Sequence, residues 1–193
     1  MNPLPRIAIA TLAAALTACA STAPQTAKPD APAVSKHNAS TATQAIANLA
    51  SASGSLVSGR LALVPMGDGV HITGEIGGLQ ANSSHGFHIH EKGDCSAADA
   101  SSAGGHFNPA AKPHGRAGHS AHHAGDGDNL VADAQGVARV NAHFSGVSLG
   151  GASANDIAGR ALIVHANADD YSSQPAGNAG ARVACGVIRV TAP

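Results

Sequence analysis

The sequence predicts an all-β domain, an eight-stranded antiparallel Greek-key barrel or sandwich with long loops, and three observations predict it. The apolar positions are mostly Val, Ile, Leu and Ala in short runs, and 23 glycines punctuate them. No segment carries a sustained helical period, and the chain has no internal repeat. Between the runs lie two long loops poor in apolar residues, a pattern that fits short strands joined around a barrel. With 2% aromatic residues and no Trp, the core has to be aliphatic.

Taken in order, residues 1–18 read as a signal peptide. Arg6 precedes an apolar stretch from Ile7 to Leu16, too short to span a bilayer. The stretch ends in "LTAC" (16–19), which resembles the bacterial lipoprotein processing box, in which the cysteine is lipidated and becomes the first mature residue. An ordinary signal peptide cut near Ala18 or Ala20 is the alternative. Ala20, rather than an aspartate, follows Cys19, and by analogy with such lipoproteins this directs the protein to the periplasm, anchored to the outer membrane. Residues 19–41 are Ala, Thr, Pro, Ser and Gln with few large apolar residues, the composition of a flexible tether. Three cysteines are present, and giving Cys19 to a lipid leaves one pair in an oxidising compartment, where a disulfide is the default.

From Ala42 to the end at residue 193 the pattern is β. Residues 53–79 hold two apolar runs around Gly67-Asp68-Gly69, a hairpin signal. "HGFHIHE" (85–91) is the next strand, 129–144 a second hairpin turning at Ala134–Gly136, and 159–168 and 181–190 two late strands. The formal net charge is -1, which gives no footprint for nucleic acid.

Histidine is the anomaly, with 12 against 11 Lys plus Arg. In a strand, residues i and i+2 point the same way, so His88 and His90 aim at one point. The stretch after Asp94 and up to Asn129 is dense in His, Gly and Asp, and a structureless loop of that length needs a reason to fold. His106, His114, His123 and Asp126 offer three nitrogens and a carboxylate, a set suited to a closed tetrahedral zinc site. Read by itself, the same stretch is also compatible with a solvated, His-rich loop.

Loop and strand together resemble the bacterial periplasmic copper–zinc superoxide dismutases, from about Ala42 to Val190. The residues that carry the resemblance are "GFHIHEKGDCS" (86–96), "GGHFNP" (104–109), "HAGDGDNL" (123–130), "ALIVHANADDY" (161–171) and "GNAGARVACGVI" (177–188). The resemblance implies dismutation of superoxide to dioxygen and hydrogen peroxide, with one copper and one zinc ion per subunit. It implies that His88, His90, His106 and His165 hold copper, and that His106, His114, His123 and Asp126 hold zinc, His106 being shared. Asp169 would link His88 to His114, Cys95 and Cys185 would form a disulfide, and Arg182 would stand at the mouth of the copper channel. Imidazoles suit both oxidation states of copper, whereas zinc orders the loop without redox chemistry.

The remaining histidines read as surface. His37 falls in the tether, His71 and His143 on strands, and His85 just before the copper strand. His119 and His122 adjoin His123, but the resemblance implies His123 as the ligand, since the family's histidine stands three residues before its aspartate; the two extra imidazoles could help capture metal or form a plain exposed tract. One departure concerns the loop after Tyr171, "SSQPAGNAGA", which carries no charge where better-known eukaryotic members carry several. Steering then rests on Arg182, with Lys92, Lys112 and Arg116 as other candidates. A metal-buffering lipoprotein or a chaperone-like domain on the same barrel would be expected to lack part of the copper set or Arg182, and this chain has both. Monomer and homodimer are both compatible with the resemblance.

Overall fold

The structure, a computed structural model, describes residues 40–193. The signal peptide, the lipidation site Cys19, His37 and nearly all of the tether lie outside the described residues.

Nine strand segments make up the domain: β1 (Gln44–Ser51), β2 (Ser58–Met66), β3 (Gly69–Gly77), β4 (Ser84–His85), β5 (Phe87–His90), β6 (Leu130–Val131), β7 (Ala138–Ser145), β8 (Ala161–His165) and β9 (Arg182–Ala192). Seven form one antiparallel sheet in the order β5-β8-β9-β1-β2-β3-β7, and β4 pairs with β6 in a small second sheet. This is the curled, all-β architecture the sequence predicts; the described residues hold no helix beyond a single 3₁₀ turn at Ser101–Ala103. Alternation explains the strands. On β1, Ala45, Ala47 and Leu49 face inward, and they meet Leu61 and Leu63 of β2 and Val70, Ile72 and Ile76 of β3. The β2–β3 hairpin turns at Gly67-Asp68, with Gly67 at φ +60°, where glycine is the residue that bends without strain.

Two elements differ from the sequence reading. The segment 44–51 is a full strand with its own inward stripe, although its alanines make that stripe faint in the sequence. The second hairpin is only a turn. Asp133 and Val137 close it, but β6 then pairs with β4 and β7 with β3. The apolar run 138–144 finds a longer partner in β3 than in the two-residue β6.

All five residues of β8 are buried. Leu162 and Val164 enter the main core, whereas Ala161 and Ile163 pack with Ala52, Ala100, Ala103 and Cys185 in a second cluster. The strand next to the histidine-bearing β5 is thus covered on both faces. Cys95 and Cys185 are joined, with Cα atoms 5.8 Å apart and a sequence separation of 90. Closing so long a loop restricts the unfolded chain, so a Cys95→Ser, Cys185→Ser double variant should lose about 2–4 kcal/mol of stability in denaturant titration. A midpoint equal to that of the parent would contradict this.

Candidate metal centre

His88 and His90 project from one face of β5, while Phe87 and Ile89 go to the core on the other. His165 stands at the end of β8, the neighbouring strand. The free edge of β5 is closed by the long loop: Ile89 N–H donates to Gly125 O, and Phe107 N–H donates to Ile89 O (2.9 and 2.8 Å). That pairing delivers His106 beside His90 and Asp126 beside His88. Ring centroids of His88 and His106 are 4.0 Å apart, and those of His88 and His165 4.9 Å.

In each of three rings one nitrogen is already engaged. His88 Nε2 donates to Asp169 Oδ2 (2.8 Å), His90 Nδ1 to Gly104 O (2.9 Å) and His165 Nδ1 to Gly180 O (3.2 Å). The other nitrogens, His88 Nδ1, His90 Nε2 and His165 Nε2, are buried without a partner, and so is His106 Nε2. Four orphaned nitrogens that converge within 4.8 Å of one another are an arrangement a cation completes. Burial pushes His90 down to about 2, His165 to about 3 and His106 to about 4, so these rings stay neutral with lone pairs free for a metal.

A second cluster shares His106. Its Nδ1 lies 2.7 Å from Asp126 Oδ1 and 3.4 Å from His123 Nδ1. Asp126 also approaches His123 Nδ1 and His114 Nδ1, each at 3.1 Å. Bonds of about 2.0–2.1 Å to a tetrahedral zinc put neighbouring ligand atoms roughly 3.3 Å apart, and these separations bracket that edge. Burial alone would raise the Asp126 carboxyl, but His106, His123 and the backbone N–H groups of His123 and Gly115 hold it well below the usual range. It is a carboxylate at any working pH.

Asp169 connects the clusters, accepting from His88 Nε2 (2.8 Å) and His114 Nε2 (3.0 Å). Asn129 pins it by a two-point pair, Nδ2 to Asp169 O and Asp169 N–H to Oδ1. Arg182 is half-buried; its guanidinium donates to Ala100 O and Gly104 O, each at 2.6 Å. It lines an opening with His90, His165, Asn108, Pro175 and Ala176, and among the described residues no other Lys, Arg, Asp or Glu lines that opening. The other steering candidates lie elsewhere. Arg116 pairs with Asp128 and stacks over Tyr171, and Lys92 and Lys112 are exposed away from the opening.

Of the spare histidines, His119 is exposed, and His122 bonds His123 O through Nδ1; neither joins a cluster. His143 pairs with Asp68 beside a half-buried His71. The surface reading of His85 is corrected. It is 4% exposed, tied to Ser83 Oγ and His165 O, because the β4–β6 pairing folds over it. Nothing local in the sequence marks that contact, which spans 80 residues.

Zinc removal should loosen residues 95–130, since this loop is held chiefly through its polar groups. Hydrogen exchange with and without a zinc chelator measures it, and equal protection in both states would contradict the expectation.

A curled antiparallel β-domain carrying two buried, histidine-rich clusters that share one imidazole defines a class by its donor atoms, β proteins built to hold two metal ions side by side. Residues 57–188 match the family model "Copper/zinc superoxide dismutase (SODC)". Superoxide dismutase (Cu-Zn) 2 of Aquifex aeolicus is 43% identical over 136 residues, covering 69% of this chain and 80% of its own length. The Mesembryanthemum crystallinum superoxide dismutase (Cu-Zn) 2 is 43% identical over 143 residues, 70% of this chain and 89% of its own. Among solved structures, a SOD-like protein from Bacillus subtilis superposes with a TM-score of 0.69 at 40% identity, covering 75% of this chain and 96% of that one in its double-mutant form. The chain belongs to the copper/zinc superoxide dismutase family. It is accordingly an oxidoreductase of the superoxide dismutase class with copper and zinc as its cofactors.

Proposed function

We propose that the protein converts two superoxide anions and two protons into dioxygen and hydrogen peroxide in the periplasm, anchored to the outer membrane through lipidated Cys19, and thereby protects the cell envelope from oxidative damage. The observation that carries the chemistry is the set of four buried, unpartnered nitrogens on His88, His90, His106 and His165. In this reading those four hold copper, while His106, His114, His123 and Asp126 hold zinc. Copper there supplies one-electron exchange with superoxide, and zinc supplies charge and order without redox chemistry.

The protein's own groups do the rest. The acceptors on Asp169, Gly104 and Gly180 fix ring tautomer and direction, leaving one lone pair of each ring aimed inward. When His106 Nε2 is not engaged by copper it is the atom at which a proton can be held beside the opening, because Nδ1 is committed to the Asp126 cluster. Arg182 draws the anion and docks it near His90 and His165.

The test is copper and zinc content together with superoxide consumption on purified mature protein. Stoichiometric metals without consumption would refute the catalytic reading in favour of metal buffering. Cys19→Ser should move the protein from the membrane fraction to the soluble one and leave superoxide consumption unchanged. A variant that stays with the membrane would refute the anchor.

A further inference from the structure

The uncharged loop 172–181 makes a contact that the proposed chemistry does not use. The Gln174 side chain accepts the His114 N–H at Oε1 and donates from Nε2 to His114 O, both at 2.9 Å. One amide thus satisfies both backbone polar groups of His114 from 60 residues away, and among the described residues neither group has another partner. His114 needs such a partner, because residues 111–116 belong to no strand or helix.

The far side of the same loop is the channel wall. Pro175 and Ala176, which directly follow Gln174, line the same opening as Arg182. Gly177 is folded against the metal bridge, with φ +66°, and a Cβ there would run into Asp169 Oδ1 and His114 Nε2. The turn is closed internally by Asp170, which accepts the backbone N–H groups of Ser172 and Ser173 and the Ser173 hydroxyl, and by Gly177 N–H donating to Ser173 O. A closed turn moves as a unit. Whatever fixes Gln174 therefore also fixes Pro175 and Ala176.

We propose that Gln174 is a positioning residue that couples the zinc loop to the wall of the copper channel, so that zinc occupancy at His114 sets the order of residues 173–178. The inference rests on the assignment of His114 to zinc. The pair works in both directions. An ordered channel loop holds His114 in its ligating position, and a zinc-bound His114 holds the channel loop. Outer groups of this kind change metal affinity by about 10–100-fold when removed. Because Gln174 is exposed, the lower end of that range applies here.

The experiment compares the copper- and zinc-loaded parent with Gln174→Met, Gln174→Glu and Ser173→Ala. Methionine keeps the length and removes both hydrogen bonds. Glutamate keeps the acceptor for the His114 N–H and loses the donor. Ser173→Ala removes the Ser173–Asp170 hydroxyl bond in the same turn without touching His114. Zinc release to a chromophoric chelator and hydrogen exchange at 173–178 are read on each. Gln174→Met should release zinc about tenfold faster and, still zinc-loaded, exchange at 173–178 as fast as the zinc-depleted parent. Gln174→Glu should fall between the two, and Ser173→Ala should release zinc at the parental rate. Release from Gln174→Met within twofold of the parent, or exchange at 173–178 in zinc-loaded Gln174→Met as slow as in the zinc-loaded parent, would overturn the coupling. A His114→Ala variant separates the two levels. If it retains zinc as the parent does, the metal assignment fails and the coupling with it; if it loses zinc while Gln174→Met does not, the coupling alone fails.

Discussion

A His106→Ala variant should lose superoxide dismutation by on the order of 100-fold or more, a larger loss than removal of any outer partner of the metals. Among the described residues His106 is the one side chain shared by both clusters, with its two ring nitrogens facing different ones. Nε2 is orphaned among His88, His90 and His165, and Nδ1 sits against Asp126 and His123. Alanine removes a candidate ligand from both sets at once and opens a buried polar hole where the side chain is 2% exposed. The course of the loop should survive, because Phe107 N–H and Ile89 N–H still pair across β5. The expected result is therefore a folded protein with depleted metals. A matched His123→Ala variant should lose zinc while keeping the four nitrogens of the His88, His90, His106 and His165 cluster. Metal analysis and superoxide consumption on both variants are the measurements. Full copper and zinc with activity within tenfold of the parent would show that His106 does not bridge the two sets.

An Arg182→Ile variant should be slower by about tenfold or more, and its rate should fall less steeply with added salt. Electrostatic steering is already an established property of superoxide dismutase, so only its assignment to Arg182 is particular to this chain. The whole chain is nearly neutral, so attraction for a small anion has to be local. At the opening Arg182 stands as the only Lys or Arg among the described residues, and its two backbone acceptors hold the guanidinium in place. One of those acceptors, Gly104 O, also receives the His90 Nδ1–H, so the cation is registered to a ring of the first histidine cluster through one carbonyl. Metal content should be unchanged, because Arg182 belongs to neither cluster. An unchanged rate and salt slope would move the steering elsewhere. Arg116 would be a poor successor, since Asp128 already neutralises it.

The strands were legible wherever burial alternates strongly. The runs at 58–66 and 69–77, with their Gly67 turn, follow from residue pattern alone. Where alanine carries the pattern, as at 44–51, apolar contrast is too weak to mark a strand, and pairing with β2 and β9 decides it. The turn at 134–136 is equally plain in the sequence, but which strands it joins is settled by competition between partners.

The candidate ligand residues were legible because metal chemistry limits such sets to a few types at short spacings, and because His88 and His90 share a face by the period of a strand. By itself the sequence determined the all-β pattern, the two candidate ligand sets and the lack of charge in the channel loop. Only the tertiary structure decided which groups hold those ligands in place. His85 reaches His165 across 80 residues, Gln174 reaches His114 across 60, and Asn129 reaches Asp169 across 40. Such contacts leave no local mark, because a hydrogen bond to a backbone N–H or carbonyl accepts any residue at the other end. The amide or imidazole that makes it is an ordinary polar residue until the chain has folded around it.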